Sequence, residues 1–165
     1  MIIITGYSRA GKTTFLSFLE EKGYKIISTS KMVHEIATSF AQINGVNIDS
    51  TDKDSFVDMG VRMPMREYLV NVAENVLVKT LTRKICSLYI DSKIDEHAGS
   101  DIAIEIFNQE EYDGTKLSLM DKQIVFITRK EELKGIDLRS IISPDIIYEN
   151  NGTILDMKKF IEKNF

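Results

Sequence analysis

The chain has 165 residues, 43% hydrophobic and 28% charged, with a net charge of −4. That is enough for one soluble globular domain with a real core, and the balance argues against the basic surface of an ordinary nucleic-acid binder. Cys86 is the only cysteine, so no intramolecular disulfide can form and a reducing, cytoplasmic setting is expected. No apolar run approaches a membrane span. The N-terminus leads into the first strand without a basic leader, so no signal peptide is expected. The pattern shows no internal repeat, low-complexity tract or linker, and the whole of 1–165 reads as a single domain.

Residues 2–5 are apolar or β-branched and predict a short buried strand. Then Gly6-Tyr7-Ser8-Arg9-Ala10-Gly11-Lys12-Thr13 matches G-x-x-x-x-G-K-[ST] without a mismatch. Residues 14–22 follow with Phe15, Leu16, Phe18 and Leu19 at helical spacing, and Gly23 is a natural stop. This is the strand–loop–helix context that a phosphate-binding loop requires. Gly6 and Gly11 let the backbone fold back and turn its N–H groups toward phosphate oxygens. The helix that follows adds its positive end. Lys12 is expected to reach the β- and γ-phosphates and the Thr13 hydroxyl to ligate Mg²⁺. Ser8, Arg9, Ala10 and Thr14 complete the expected cradle for ATP. The motif says nothing of what receives the phosphate.

Residues 24–28 read as a second strand and 30–41 as a helix with Met32, Val33, Ile36, Ala37 and Phe40 on one face. The hydroxyls of Ser28, Thr29 and Ser30 are suited to capping that helix or to meeting a substrate. His34 in the helix and His97 further on read as surface residues. Residues 44–54 form a polar loop. Residues 61–67, with Arg62, Pro64 and Arg66, lead into a long helical pattern that begins directly after Pro64, with Leu69, Val72, Ala73, Val76, Thr80, Ile85 and Leu88 holding the period as two helices joined near Lys79. Cys86 falls within it as a small core residue. After a second polar loop at 95–100, strands are expected at 101–107, 123–128 and 145–148, with a turn or short helix over 108–113. A turn and N-cap at 150–153 lead into a closing helix over 154–165, with Leu155, Phe160 and Ile161 inward. Strands alternating with helices imply a parallel five-stranded sheet with helices on both faces.

A phosphate loop needs a carboxylate at the end of a neighbouring strand to hold Mg²⁺ or its water. Glu105, inside the 101–107 strand, is preferred over Asp91, which follows Leu88-Tyr89-Ile90 but continues a helical period. Transfer also needs cations around the moving group. Arg66, beside Pro64 at a helix start, and Arg129, after the 123–128 strand, are the favoured ones. Arg62, Lys130 and Arg139 fit solvated charge better than function.

This order of elements resembles the nucleoside monophosphate kinase group of P-loop proteins, nearest to bacteriophage deoxynucleoside monophosphate kinases and the related dephospho-coenzyme A kinases. Beyond the loop, the resemblance is carried by the ending Asp145-Ile146-Ile147-Tyr148-Glu149-Asn150-Asn151-Gly152-Thr153 and by the acidic strand. Where the family carries Asp-x-Arg, this chain has Glu105 and Phe107; Glu111 keeps a later acid. The resemblance implies a three-layer P-loop NTPase fold and transfer from ATP with Mg²⁺ to a (deoxy)nucleoside monophosphate. It also implies a small acceptor-binding helical region at about 29–92 and a short lid at about 129–140. By position, Ser30, Lys31, Arg62 and Arg66 would line the acceptor site and Asn151 and Gly152 would border adenine. The expected partners are small-molecule nucleotides only, with no nucleic acid or membrane. The chain would be a monomer or homodimer in the cytoplasm, a host's cytoplasm if phage-encoded. A dephospho-coenzyme A kinase-like activity and a non-catalytic nucleotide-binding switch are the alternatives.

Overall fold

The structure, a computed structural model, describes residues 1–7, 9–52, 54–79, 84–107, 109–129 and 143–165. The elements in order are β1 (Ile2–Gly6), α1 (Lys12–Glu21), β2 (Lys25–Ser28), α2 (Thr29–Ile43), β3 (Phe56–Asp58), β4 (Arg62–Pro64) and α3 (Met65–Asn71). A π-helical segment (Val72–Val78), α4 (Lys84–Glu96), β5 (Ile102–Glu105), α5 (Gln109–Asp113) and a 3-10 turn (Lys116–Leu119) follow. The chain closes with β6 (Gln123–Thr128), β7 (Ile146–Glu149) and α6 (Ile154–Asn164). It divides into two compact units, Met1–Ser28 with Ser87–Phe165, and Thr29–Cys86.

In the first unit five parallel strands lie in the order β2-β5-β1-β6-β7. Side chains alternate across a strand, and here both sides find cover. Ile2, Ile4, Ala103, Val125, Ile127 and Tyr148 pack with Phe15, Leu16 and Leu19 of α1 and Met157 and Ile161 of α6. Ile3, Ile27, Ile102, Ile104, Ile124 and Phe126 pack on the other face with Ile90 and Ile94 of α4 and Leu117. Continuous apolar strands are what a doubly covered parallel sheet requires. The expected three-layer α/β P-loop fold is therefore the one observed.

The second unit has its own core of Ala37, Val57, Met65, Tyr68, Leu69 and Val72, and the Tyr68 hydroxyl donates to the Ala37 carbonyl at 3.0 Å. Its antiparallel β3–β4 hairpin was not expected. Each strand has three residues, too few to show a period. Pro64 disfavours helix at the residue before it, and the helix expected directly after it is observed. The helix starts only at Met65, with Pro64 in the capping position.

Some inward assignments are corrected. Leu155, Phe40 and Leu88 are 58%, 46% and 55% exposed; in α6, Met157 takes the inward position instead of Leu155. Cys86 is half-buried, not core. The helix over Asp91 extends through Glu96, so Asp91 lies inside α4 and not at a helix end. No helix of the described residues is long and apolar enough to cross a membrane.

Candidate functional site

Because the strands run parallel, β1, β5, β6 and β7 bring their carboxyl ends to one edge of the sheet. The loop after β1 sits there. Gly6 has φ +140°, and a Cβ added to it would lie 2.0 Å from the Ile127 carbonyl oxygen. The close approach of β1 to β6 thus requires glycine. Gly11 has φ +102°, and a Cβ there would lie 2.4 Å from the Asn150 side-chain nitrogen. Arg9 also takes a positive φ, 62°, and its side chain is exposed. Ala10 is fully buried, and Tyr7 turns its ring edge-on to Phe126 at 5.5 Å.

Gly11 precedes α1, whose first turn has neither a side-chain cap nor an acidic residue. The opening N–H groups of a helix need partners from outside it, and an anion is a suitable one. The contrast with α6 is direct. There Thr153 and Asp156 form a capping box that closes the helix start.

Lys12 is buried, 7% exposed. Its ammonium donates to the carbonyls of Gly6 at 3.1 Å and Tyr7 at 2.9 Å, within its own loop. Burial pulls its pKa below the usual lysine value, and the negative charge of Glu105 pushes back up. The Phe107 ring lies with its centroid 5.5 Å from the ammonium, a favourable cation–π arrangement. Phe107 is 40% exposed, and its N–H is held by the buried Glu111 carboxylate at 2.8 Å.

Glu105 ends β5, in register with Ile4 of β1 and Ser28 of β2. It is buried, and its Oε2 accepts from the Ser28 hydroxyl at 2.7 Å. Asp91, the alternative acid, lies in α4, where it accepts from the Lys116 backbone N–H at 3.1 Å. The strand-end carboxylate is therefore Glu105. Among the described residues no group of three or more His, Cys, Asp or Glu could hold a metal. An all-oxygen pair, the Thr13 hydroxyl and the Glu105 carboxylate, fits a Mg²⁺ held mainly by nucleotide phosphates and water.

The other expected residues are spread along the chain. Arg129 follows β6 at the carboxyl edge and is exposed. The rest of the expected 129–140 lid, with Lys130 and Arg139, lies outside the described residues, as does Ser8. Asn151 and Gly152 are exposed in the turn after β7, and the Asn151 amide donates to Glu149 at 3.1 Å. In the second unit, Ser30 and Lys31 lie in the first turn of α2. Arg62 covers the Phe56 ring at 4.8 Å. Arg66 pairs with Asp54 at 3.4 Å, both exposed. The Met65 N–H donates to the Ser55 carbonyl, so the expected free donors at this helix start are already one fewer. Three contributors were missed in the sequence: Ser28 as the partner of Glu105, Phe107 as the partner of Lys12, and Asn150 at Ala10 and Gly11. No local sequence pattern signals these contacts; the one between Ser28 and Glu105 follows from the pairing of β2 with β5.

No family model matches the chain, and no curated protein matches it in sequence. Among solved structures it is similar to a dephospho-CoA kinase from Campylobacter jejuni, at 17% identity and a TM-score of 0.49 over 98% of this chain and 93% of that one. It is also similar to a sugar kinase from Janibacter sp. HTCC2649, at 12% and 0.45 over 98% and 91%. A gluconokinase from Sinorhizobium meliloti 1021 stands at 10% and 0.41 over 96% and 86%.

Proposed function

We propose that the chain is a P-loop phosphotransferase that moves the γ-phosphoryl group of ATP to a (deoxy)nucleoside monophosphate, giving the diphosphate. One observation carries the reading: a buried lysine, held only 3 Å or so from its own loop carbonyls, at the uncapped start of α1. A buried ammonium is unfavourable without a partner, and polyphosphate is a stronger partner than two neutral carbonyls.

In this reading Lys12 leaves the Gly6 and Tyr7 carbonyls for the β- and γ-phosphates. The backbone of Gly6 to Thr14 cradles the phosphates, and Arg9 stands over them. Thr13 and Glu105 would hold Mg²⁺, which when bound neutralises charge developing on the transferred group. Ser28 fixes the Glu105 carboxylate. Ser30, Lys31, Arg62 and Arg66 serve the acceptor, Arg129 adds a cation to the transferring group, and Asn151 and Gly152 border the adenine. The protein contributes positioning and charge and forms no covalent intermediate.

The test is a coupled ADP-release assay with ATP, Mg²⁺ and a panel of nucleoside monophosphates, dephospho-coenzyme A and no acceptor. Monophosphate-dependent turnover is the expected result. Turnover with dephospho-coenzyme A alone would make the acceptor a hydroxyl. ATP binding without turnover on any acceptor would make the chain a nucleotide-binding switch.

A further inference from the structure

We infer that Asn150 is a positioning residue for the phosphate-binding loop, joining that loop to the turn after β7; this rests on the phosphate-loop reading above. Asn150 directly follows β7, and its backbone N–H donates to the Thr128 carbonyl at 2.8 Å, extending the β6–β7 ladder by one rung. Its side-chain Nδ2 donates to the Ala10 carbonyl at 2.8 Å, across 140 residues of chain. Ala10 itself is fully buried.

Two features make this contact more than incidental packing. First, the Asn150 amide occupies the space where a Gly11 side chain would begin, 2.4 Å from an added Cβ. A side chain at Gly11 would therefore have to displace this amide, in addition to bearing the cost of the positive φ. Second, the Ala10–Gly11 peptide is trans, as every described peptide bond is. A trans unit directs its C=O and N–H to opposite sides. With the carbonyl held toward Asn150, the Gly11 N–H faces away from it. Rotating the peptide would break the bond and strand a buried carbonyl. Asn150 therefore fixes which way an amide of the loop points, from a strand end that is itself pinned to β6. Asn151 and Gly152, next in the chain, are the residues proposed beside the base, so one amide links that turn to the phosphate cradle.

The test is calorimetric titration of inorganic tripolyphosphate, which has no base, into the full chain. Wild type is compared with Asn150→Ala, with Asn150→Leu, which keeps the branched shape without the donor, and with Thr153→Ala. The last breaks the α6 capping box and lowers the melting temperature without touching the loop. Both Asn150 variants should bind about 5- to 100-fold more weakly, while Thr153→Ala binds as wild type does. Wild-type affinity in a folded Asn150 variant would overturn the inference. So would an equal loss in Thr153→Ala, which would reduce the effect to a destabilised turn. A measurement on wild type alone guards against variants that do not fold: the NMR signals of the Asn150 side-chain amide should shift with tripolyphosphate along the same binding curve as the Gly11 amide. An unmoved Asn150 amide would overturn the inference. Wild type that binds no tripolyphosphate would instead overturn the phosphate-loop reading on which it rests.

Discussion

Gly6→Ala is the perturbation whose size the structure determines best. Gly6 ends β1 in register with Ile127 of β6. An added methyl would meet the Ile127 carbonyl oxygen at 2.0 Å and the Ile127 nitrogen and carbonyl carbon at 2.9 Å. All three are backbone atoms in the centre of the sheet, so nothing flexible can move aside. The φ of +140° is a second and separate penalty for any residue with a Cβ. Holding alanine there costs roughly 1–3 kcal/mol. Forcing the strands to make room costs about as much as overpacking a core, roughly 1–3 kcal/mol. The sum, about 2–6 kcal/mol, is a large part of the total stability of a small domain, roughly 5–15 kcal/mol. Gly23→Ala isolates the second term: its φ is +97°, and no atom lies within 4 Å of an added Cβ, so it should cost only about 1–2 kcal/mol. Urea denaturation followed by circular dichroism gives both midpoints, and stability alone has changed if the slopes agree. If the two variants fall within about 0.5 kcal/mol of each other, the steric argument for the first glycine of the loop is wrong.

Lys12→Met keeps the length and removes the charge; phosphoryl transfer should vanish while the melting temperature holds or rises, and unchanged turnover would remove the loop's assignment. The same pair tests the pH dependence. Burial lowers the Lys12 pKa, so between that value and 10.5 the unfolded chain binds more protons and stability rises with pH. Lys12→Met should show a smaller rise in denaturation midpoints over that alkaline window, and equal slopes would contradict the burial argument. Glu105→Gln should slow Mg²⁺-dependent transfer at least about tenfold, or ~1.4 kcal/mol, whereas Asp91→Asn should leave turnover near wild type in the same assay. Arg66→Ala should raise the acceptor KM about ten- to a thousandfold with ATP affinity unchanged, because its exposed pair with Asp54 contributes little to stability. Equal acceptor affinity by calorimetry would remove Arg66 from the acceptor site.

The sheet was legible because its strands carry a simple signal. Residues 2–5, 123–128 and 145–148 are short apolar runs between turn residues, and a parallel sheet buried on both faces needs nothing subtler. The hairpin was not legible. Phe56–Asp58 and Arg62–Pro64 are held by pairing with each other, and three-residue strands offer no period to read. On α6, Phe160 and Ile161 face the core as expected, and only Leu155 gives way to Met157. The start of that helix was legible from the turn residues that end in Thr153, while the adjacent apolar Ile154 and Leu155 left two stripes open.

The site divides along the same line. The loop was readable because its chemistry is local: two glycines, a lysine and a helix start within eight residues. Its partners are set by strand order, which no local pattern contains. Glu105 reaches Ser28 because β5 lies between β2 and β1, and Asn150 comes to Ala10 from just beyond β7, whose last residue, Glu149, is in register with Thr128. Phe107 shows why such neighbours matter. Where the resembled family would have a cation, this chain sets an aromatic face beside Lys12. An arginine there would repel the ammonium and could itself meet phosphate. The ring does neither: it favours the charged lysine through its quadrupole and sheds water from one side of it. Burial lowers the lysine's pKa, and the charge of Glu105 acts against that without cancelling it. The lysine's ammonium donates to the neutral carbonyls of Gly6 and Tyr7, weaker partners than the polyphosphate that would displace them.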